Sequence, residues 1–319
     1  MPAWNDLLDE LNRQPQPTRG NWLTTQQTSV LKRVGNLRGG RHVLLYASAF
    51  LQKPQAPALN VNIMPEDLNG LMSVVYGMDW SKGLTLILHT PGGDPNAAAT
   101  IVAYLRSKFT QIEVIVPTFA MSAGTMISLA ADRIIMGRQS QLGPIDPQML
   151  IGQRPVSARA IVDQFATAKG EILADLALAH VWAPILPSLG PALLQEAQNA
   201  LDYGESMVAG WLAKYMFASL QDSDAKGRSV AKHFNDATIH KSHGRRIDRE
   251  EARNQGVMVE DLEDDQDLQE AALTSYHLAT LLIEQSLITK LVASDTGRTW
   301  LKQWIPPGTQ IALQGPVGP

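Results

Sequence analysis

Cysteine is absent from the 319 residues of the chain, which excludes disulfides, thiolate nucleophiles, iron–sulfur clusters and cysteine-based zinc sites together. Any covalent catalysis must use oxygen or nitrogen. Charge of either sign is sparse: charged residues make up 18% and the formal net charge is −4, with Lys and Arg scattered rather than striped. Such a chain offers no field for a phosphate backbone, so no nucleic-acid partner is expected. No apolar run approaches the ~18 residues needed to span a bilayer, and Met1-Pro2-Ala3-Trp4-Asn5-Asp6 lacks the basic and apolar regions of a signal peptide. The expected setting is cytoplasmic and reducing, with no membrane span. Internal repeats and low-complexity tracts are also missing. What is present is 45% hydrophobic residues, enough for a self-sufficient core in a chain of this size.

Residues 1–40 are polar and broken by Pro15, Pro17, Gly20, Gly35, Gly39 and Gly40, with only a weak helical pattern around Leu7, Leu8 and Leu11, and read as an N-terminal arm or subunit contact. His42 to Ala47 reads as a first buried strand, Pro54 to Pro57 as a loop, and a helix opens at Met64-Pro65-Glu66-Asp67-Leu68. Leu84–Leu88, Ile112–Val116 and Arg133–Met136 read as strands, with helical patterns at Ala97–Lys108 and Ser122–Ala131 between them. This alternation predicts right-handed parallel βαβ units. Functional residues then belong at the carboxyl ends of the strands. From Ser157 the character changes to long helices, expected at 157–183, 191–217 and 267–292 around a mixed polar stretch, 226–260. The domain expected from this pattern is 41–292, with 293–319 a C-terminal extension.

Two turns stand out, each between an apolar strand and a helix. The first offers Gly92-Gly93, whose backbone amides are open to a ligand because no Cβ blocks it. The second offers Ser122 at a helix start, in Ala120-Met121-Ser122-Ala123-Gly124-Thr125. If neighbouring strands carry them side by side, a carbonyl between them meets the Ser122 hydroxyl while its oxygen points at the amides of Gly93 and Ala123. The competing reading makes Ser122 only a helix N-cap and Pro91-Gly92-Gly93 only a turn.

The segments 82–94, 117–126 and 136–148, containing His89-Thr90-Pro91-Gly92-Gly93-Asp94, Ser122-Ala123-Gly124-Thr125 and Gly143-Pro144-Ile145-Asp146-Pro147, resemble the serine dehydrogenase proteinase family of the Clp-protease/crotonase superfamily, which is related to signal-peptide-peptidase-type serine proteases. The likeness extends to Ser242-His243-Gly244-Arg245-Arg246-Ile247 and to 262–269, so it covers about 40–290. It implies an α/β fold, a Clp-protease/crotonase-like spiral of ββα units with added C-terminal helices, assembled as a homo-oligomer. It also implies a serine endopeptidase with Ser122 as nucleophile, acting on peptides or unfolded proteins.

A serine needs a proton acceptor. In Clp-type peptidases a histidine follows the nucleophile closely; here Asp146 and Pro147 stand in that neighbourhood instead. His243 is the first candidate for the base, with Asp146 to orient it. Lys169 is the rival, since signal-peptide-peptidase relatives use a Ser–Lys dyad. Gly92 and His89 are expected to support the site from behind. His240 and His243 at an i, i+3 spacing are weak as metal ligands, and Gly35 to Gly40 matches no phosphate loop, so neither a metal nor another cofactor is expected. The chain contains no ATPase motif, so an unfoldase that fed such a site would be a separate partner. Two further functions share this fold: a crotonase-like enzyme holding a coenzyme A ester enolate, and a non-catalytic scaffold in which the base has drifted.

Overall fold

The structure, a computed structural model, describes residues 4–152, 154–185 and 192–308. It opens with α1 (Trp4–Arg13) and α2 (Arg19–Leu37). On α2, Leu23, Leu31 and Val34 recur at helical spacing and are buried together with Gln27, which donates to Ser275 Oγ at 2.6 Å, so the helix lays one largely apolar stripe on the core. The segment expected as a polar arm is thus a pair of packed helices; its apolar residues are few but share one face.

The chain continues through β1 (His42–Ser48), a short α3 (Ala58–Val61), α4 (Asp67–Val75), β2 (Leu84–His89) and α5 (Pro95–Lys108). Asp94 starts α5 by accepting from the Asn96 N–H at 2.8 Å, with Pro95 in the first turn where its missing N–H costs nothing. Then come β3 (Ile112–Val116), β4 (Phe119–Ala120), α6 (Ala123–Leu129), β5 (Arg133–Met136) and β6 (Gln141–Leu142). A hairpin of β7 (Gln148–Ile151) and β8 (Arg154–Ser157) leads to α7 (Ala158–Ala174), α8 (Ala179–Trp182) and α9 (Leu193–Lys214). After α10 (Ser223–Asn235), α11 (Ala237–His240) and α12 (Arg249–Asn254), the chain returns through β9 (Val259–Asp261), α13 (Gln266–Glu284), β10 (Ile288–Ser294) and β11 (Thr299–Gln303).

Seven strands make the main sheet in the order β11-β10-β1-β2-β3-β5-β9. From β1 to β9 the neighbours are parallel, and β10 closes the other side antiparallel to β1. β2 and β3 are buried along their whole length, as strands covered by helices on both faces must be. One face packs on α4, α5, α6, α9 and α10, the other on α1, α2 and α13.

Beyond the carboxyl ends of these strands runs a second row of short extended segments. Ile63 pairs with Gly93, Thr90 with Ala120, β4 with β6, and Leu142 with Ile247. A long strand, a short segment of this second row and a helix therefore recur as β2, Thr90–Gly93, α5 and again as β3, β4, α6. The α/β spiral of ββα units expected above is this arrangement.

Three boundaries differ from the sequence expectation. The helix expected at 267–292 ends at Glu284, because Ile288–Ser294 is a fully buried strand. Residues 293–303 of the expected C-terminal extension complete the sheet edge, while 309–319 lie outside the described residues. The helix expected at 157–183 breaks at Asp175, whose carboxylate accepts from the Ala177 N–H at 2.9 Å and starts a new turn.

Candidate active site

β2 and β3 run in register, Ile87 beside Ile115, so their carboxyl ends emerge together and the turns that follow are neighbours. Backbone bonds join them directly: Thr90 N–H donates to the Phe119 carbonyl at 2.9 Å and Met121 N–H to the Thr90 carbonyl at 3.1 Å. Gly92 has φ +99°, and a Cβ there would stand 2.6 Å from both the Met121 oxygen and the Ser122 Cβ. Only glycine lets the two turns come this close. Gly93 has φ +153° and sits against Ile63, whose N–H donates to Gly92 O at 2.8 Å and whose carbonyl accepts from Asp94 N–H at 2.9 Å.

Ser122 immediately precedes α6, at the position of an N-cap. Its side chain makes no capping bond, and no described residue is hydrogen-bonded to its Oγ. Its backbone is held at φ +51°, ψ −116°, a conformation that costs a non-glycine residue on the order of 1–3 kcal/mol and is tolerated where the surroundings over-determine it. The Gly92 contact and the Gly124 N–H bond to Met121 O at 2.7 Å are those surroundings. The N–H groups of Gly93 and Ala123 have no hydrogen-bond acceptor among the described residues.

A pocket of about 490 Å³ opens here, and Gly93, Ser122, Asp146 and His243 all line it, with Met126 and Tyr203 on its apolar side. His243 Nδ1 lies 2.7 Å from Asp146 Oδ1. A carboxylate only accepts, so the imidazole donates its Nδ1–H and keeps Nε2 as the basic nitrogen. Asp146 Oδ2 accepts from Gln148 Nε2 at 2.7 Å. The carboxylate is buried at 2% exposure, whereas the His243 side chain is 29% exposed, a rigid partner behind an accessible ring.

His243 and Asp146 come together because their segments are stitched at several points. Ile145 N–H donates to Phe234 O at 2.8 Å, and Leu142 and Ile247 exchange both backbone bonds at 2.9 Å. Between these ends, His240 donates Nε2–H to the His233 carbonyl at 2.7 Å and accepts from Arg245 at 3.0 Å, while Arg245 also pairs with Glu251 at 2.6 Å. His240 is thus occupied in holding the loop. On the other side, Thr125 Oγ donates to Ala120 O at 2.7 Å and accepts from Gly143 N–H at 2.9 Å, tying α6 to the approach of Asp146.

Two sequence candidates do not line the pocket. Lys169 is exposed on α7 and does not line the pocket. His89 points to the α13 face of the sheet, bonded to Thr118 Oγ at 2.8 Å and surrounded by Phe50, Phe119 and Tyr276. Burial lowers its pKa from 6.5 to about 3, so it is a neutral packing residue behind the turns. Alternation along β2 accounts for this, since His89 shares a face with Ile87.

One cluster went unrecognised in the sequence. Lys290 Nζ bonds both oxygens of Asp67, at 2.7 and 2.9 Å, with both residues fully buried. Asp67 also accepts from Tyr46 OH at 2.8 Å and from Met64 N–H at 2.9 Å. It thereby anchors the residue next to Ile63, the segment that frames Gly93. A lysine inside Ile288-Thr289-Lys290-Leu291-Val292 was the available signal, because a charge in such a run needs a buried partner. Among the described residues, no three metal-ligating side chains converge, and no helix is long and apolar enough to cross a membrane.

Residues 57–181 match the family of ClpP-like SDH-type serine proteinases. Two uncharacterized proteins of Methanocaldococcus jannaschii are similar to the chain. One is 42% identical over 117 residues, 35% of this chain and 40% of its own length; the other is 43% identical over 110 residues, 34% and 36%. The chain therefore spans about two fifths of the length of these relatives. Among solved structures, a mutant of the membrane-bound stomatin-specific protease 1510-N is similar at a TM-score of 0.39 and 16% identity, covering 66% of this chain and 79% of that one. The matched segment carries both glycines of the first turn and Ser122; His243 lies outside it.

Proposed function

We propose that this chain is a serine peptidase in which Ser122 is the nucleophile, His243 the general base and Asp146 the group that orients it. One observation carries the reading. A single pocket is lined by an uncapped serine hydroxyl, an amide without an acceptor and a histidine hydrogen-bonded through Nδ1 to a buried carboxylate. The match of residues 57–181 to a serine proteinase family supports it independently.

The chemistry follows from the protonation pattern. His243 Nε2 takes the Ser122 proton as Oγ bonds to the substrate carbonyl carbon, and the carbonyl oxygen becomes an oxyanion. Gly93 and Ala123 N–H donate to that oxygen, with the N-terminal end of α6 adding partial positive charge; each donor of this kind contributes about 10²–10³ in rate. His243 then passes its proton to the leaving nitrogen as the C–N bond breaks, giving an acyl-serine and a free amine. A water, deprotonated by the same Nε2, hydrolyses the ester and restores Ser122. Throughout, Asp146 accepts the Nδ1–H and stabilises the imidazolium.

The test is labelling with a fluorophosphonate, followed by turnover of an unfolded protein. The native chain should label at Ser122; Ser122→Ala and His243→Ala should lose label and turnover, and Lys169→Ala should keep both. Native protein that takes no label overturns the assignment.

A further inference from the structure

A second pocket, of about 410 Å³, lies behind the same histidine. It shares Asp146, Gln148 and His243 with the first but is not lined by Ser122. In the reaction above the imidazolium delivers its proton to the leaving nitrogen, so the departing part of the substrate lies on the histidine side of the serine. The second pocket therefore stands where the leaving fragment runs.

Most of its lining residues are of polar type and two are cations, Arg159 in the first turn of α7 and Lys241 just after α11. Neither makes an ion pair among the described residues. The Nε of Arg159 and the Oγ of Ser157, another lining residue, are sealed from solvent and have no hydrogen-bond partner. Buried polar atoms without partners are costly, and here they gather on one wall of a cavity. Ser157 sits at the N-cap of α7 without capping it; Ala158 N–H is taken by the Pro147 carbonyl at 2.9 Å, so the N–H groups that this helix start leaves without intrahelical acceptors are those that follow it. Of the two carboxylates in the lining, Asp146 is hydrogen-bonded to His243 and Gln148, and Asp236, just outside the lining, acts on Arg159 electrostatically; Asp163 is the other lining carboxylate, facing two cations and a helix end.

We infer that this pocket, resting on the peptidase reading, is the subsite for a carboxylate on the leaving fragment, recognised by Arg159 and Lys241. Two sources share that chemistry: an Asp or Glu side chain downstream of the cleaved bond, and the terminal carboxylate of a short leaving fragment.

A matched peptide series cleaved by the full chain separates them. One pair differs by Glu against Gln in the leaving fragment, the other by a free C-terminus against its amide. The carboxylate member of one pair should be cleaved with about tenfold higher kcat/KM, the advantage of a hydrogen bond to a charged group, and the pair that shows it names the source. Arg159→Gln and Lys241→Asn, two variants on different elements, should each reduce that preference while the neutral peptides are cleaved as before. Equal kcat/KM within both pairs, or a preference that survives both substitutions, overturns the subsite and leaves the peptidase reading intact. A native chain that cleaves no peptide and takes no fluorophosphonate on Ser122 overturns both.

Discussion

Replacing Gly93 by alanine tests the proposed oxyanion site at its tightest point. The added Cβ would lie 2.5 Å from the Ile63 nitrogen and closer still to its carbonyl oxygen, at φ +153°. Those two Ile63 groups bond Gly92 and Asp94 on either side of Gly93, at 2.8 and 2.9 Å, so the methyl cannot enter without separating them. Two backbone bonds at about 1 kcal/mol each, with strain on the order of 1–3 kcal/mol for the forbidden φ, give a loss of about 3–5 kcal/mol. The displaced N–H also leaves the oxyanion, and kcat should fall about 10²–10³-fold. Gly39→Ala is the control: its φ is +76° but nothing lies within 4 Å of the new Cβ. It should cost stability through backbone strain alone, with kcat/KM unchanged. Urea denaturation and peptide hydrolysis of the folded variants are the assays. If Gly93→Ala is no less stable than Gly39→Ala and retains native kcat, the Ile63 frame does not position an oxyanion donor.

Ser122→Gly should remove turnover as Ser122→Ala does, yet unfold at higher urea, since only glycine relieves φ +51° and returns about 1 kcal/mol. Lys290→Met should destabilise by about 3–5 kcal/mol, because it strands the Asp67 carboxylate in the core; adding Asp67→Asn should restore much of the loss, as Asn still accepts from Tyr46 and Met64. Asp146→Asn should lower kcat by about 10³–10⁴ with little change in KM, by leaving His243 in the wrong tautomer. His89 titrates at about 3 when folded against 6.5 when exposed, so its contribution is complete above pH 6.5 and is lost as pH falls toward 3. His89→Gln should therefore flatten stability over that interval by up to about 1.4 kcal/mol per pH unit. Some slope should remain from His277, whose pKa burial also lowers.

The parallel core was legible because β2 and β3 are mostly apolar, interrupted by Thr85, His89 and Glu113, and are punctuated by Pro91-Gly92-Gly93 and Pro117-Thr118. The same punctuation marked both turns of the site. The helices within 4–37 show in the sequence only as a weak pattern around Leu7, Leu8 and Leu11, because Leu7, Leu11, Leu23 and Leu31 are thinly spread among polar residues and acquire meaning only against α13. β10 escaped for the opposite reason: after the apolar face of α13, Ile288–Ser294 continues the hydrophobic signal, and a short apolar run does not declare its period. The acidic run 260–267 lies largely in solvent, with the Asp267 side chain 70% exposed, and on that surface Glu260 pairs with Arg38 at 3.1 Å and Asp267 with Arg33 at 2.8 Å. Those partners are more than two hundred positions away, beyond any local pattern.

The two halves of the proposed site are held by different means. Ser122, Gly93 and Ala123 belong to consecutive turns of one parallel sheet, so the fold that forms β2 and β3 also sets their mutual distances, and a local motif suffices to find them. The His243–Asp146 bond spans 97 positions and depends on the Leu142–Ile247 ladder, on Ile145 bonding Phe234, and on His240 locking the loop from within. None of these groups has to touch substrate for the base to be misplaced. Ile247→Pro removes the N–H that donates to Leu142 at 2.9 Å, and its effect should fall on His243 while the nucleophile keeps its frame. The expected signature is slowed acylation by fluorophosphonate together with retained near-native unfolding of the β2–β3 core in hydrogen exchange. Equal loss of protection in both regions would mean that the base and the nucleophile are positioned by a single cooperative unit.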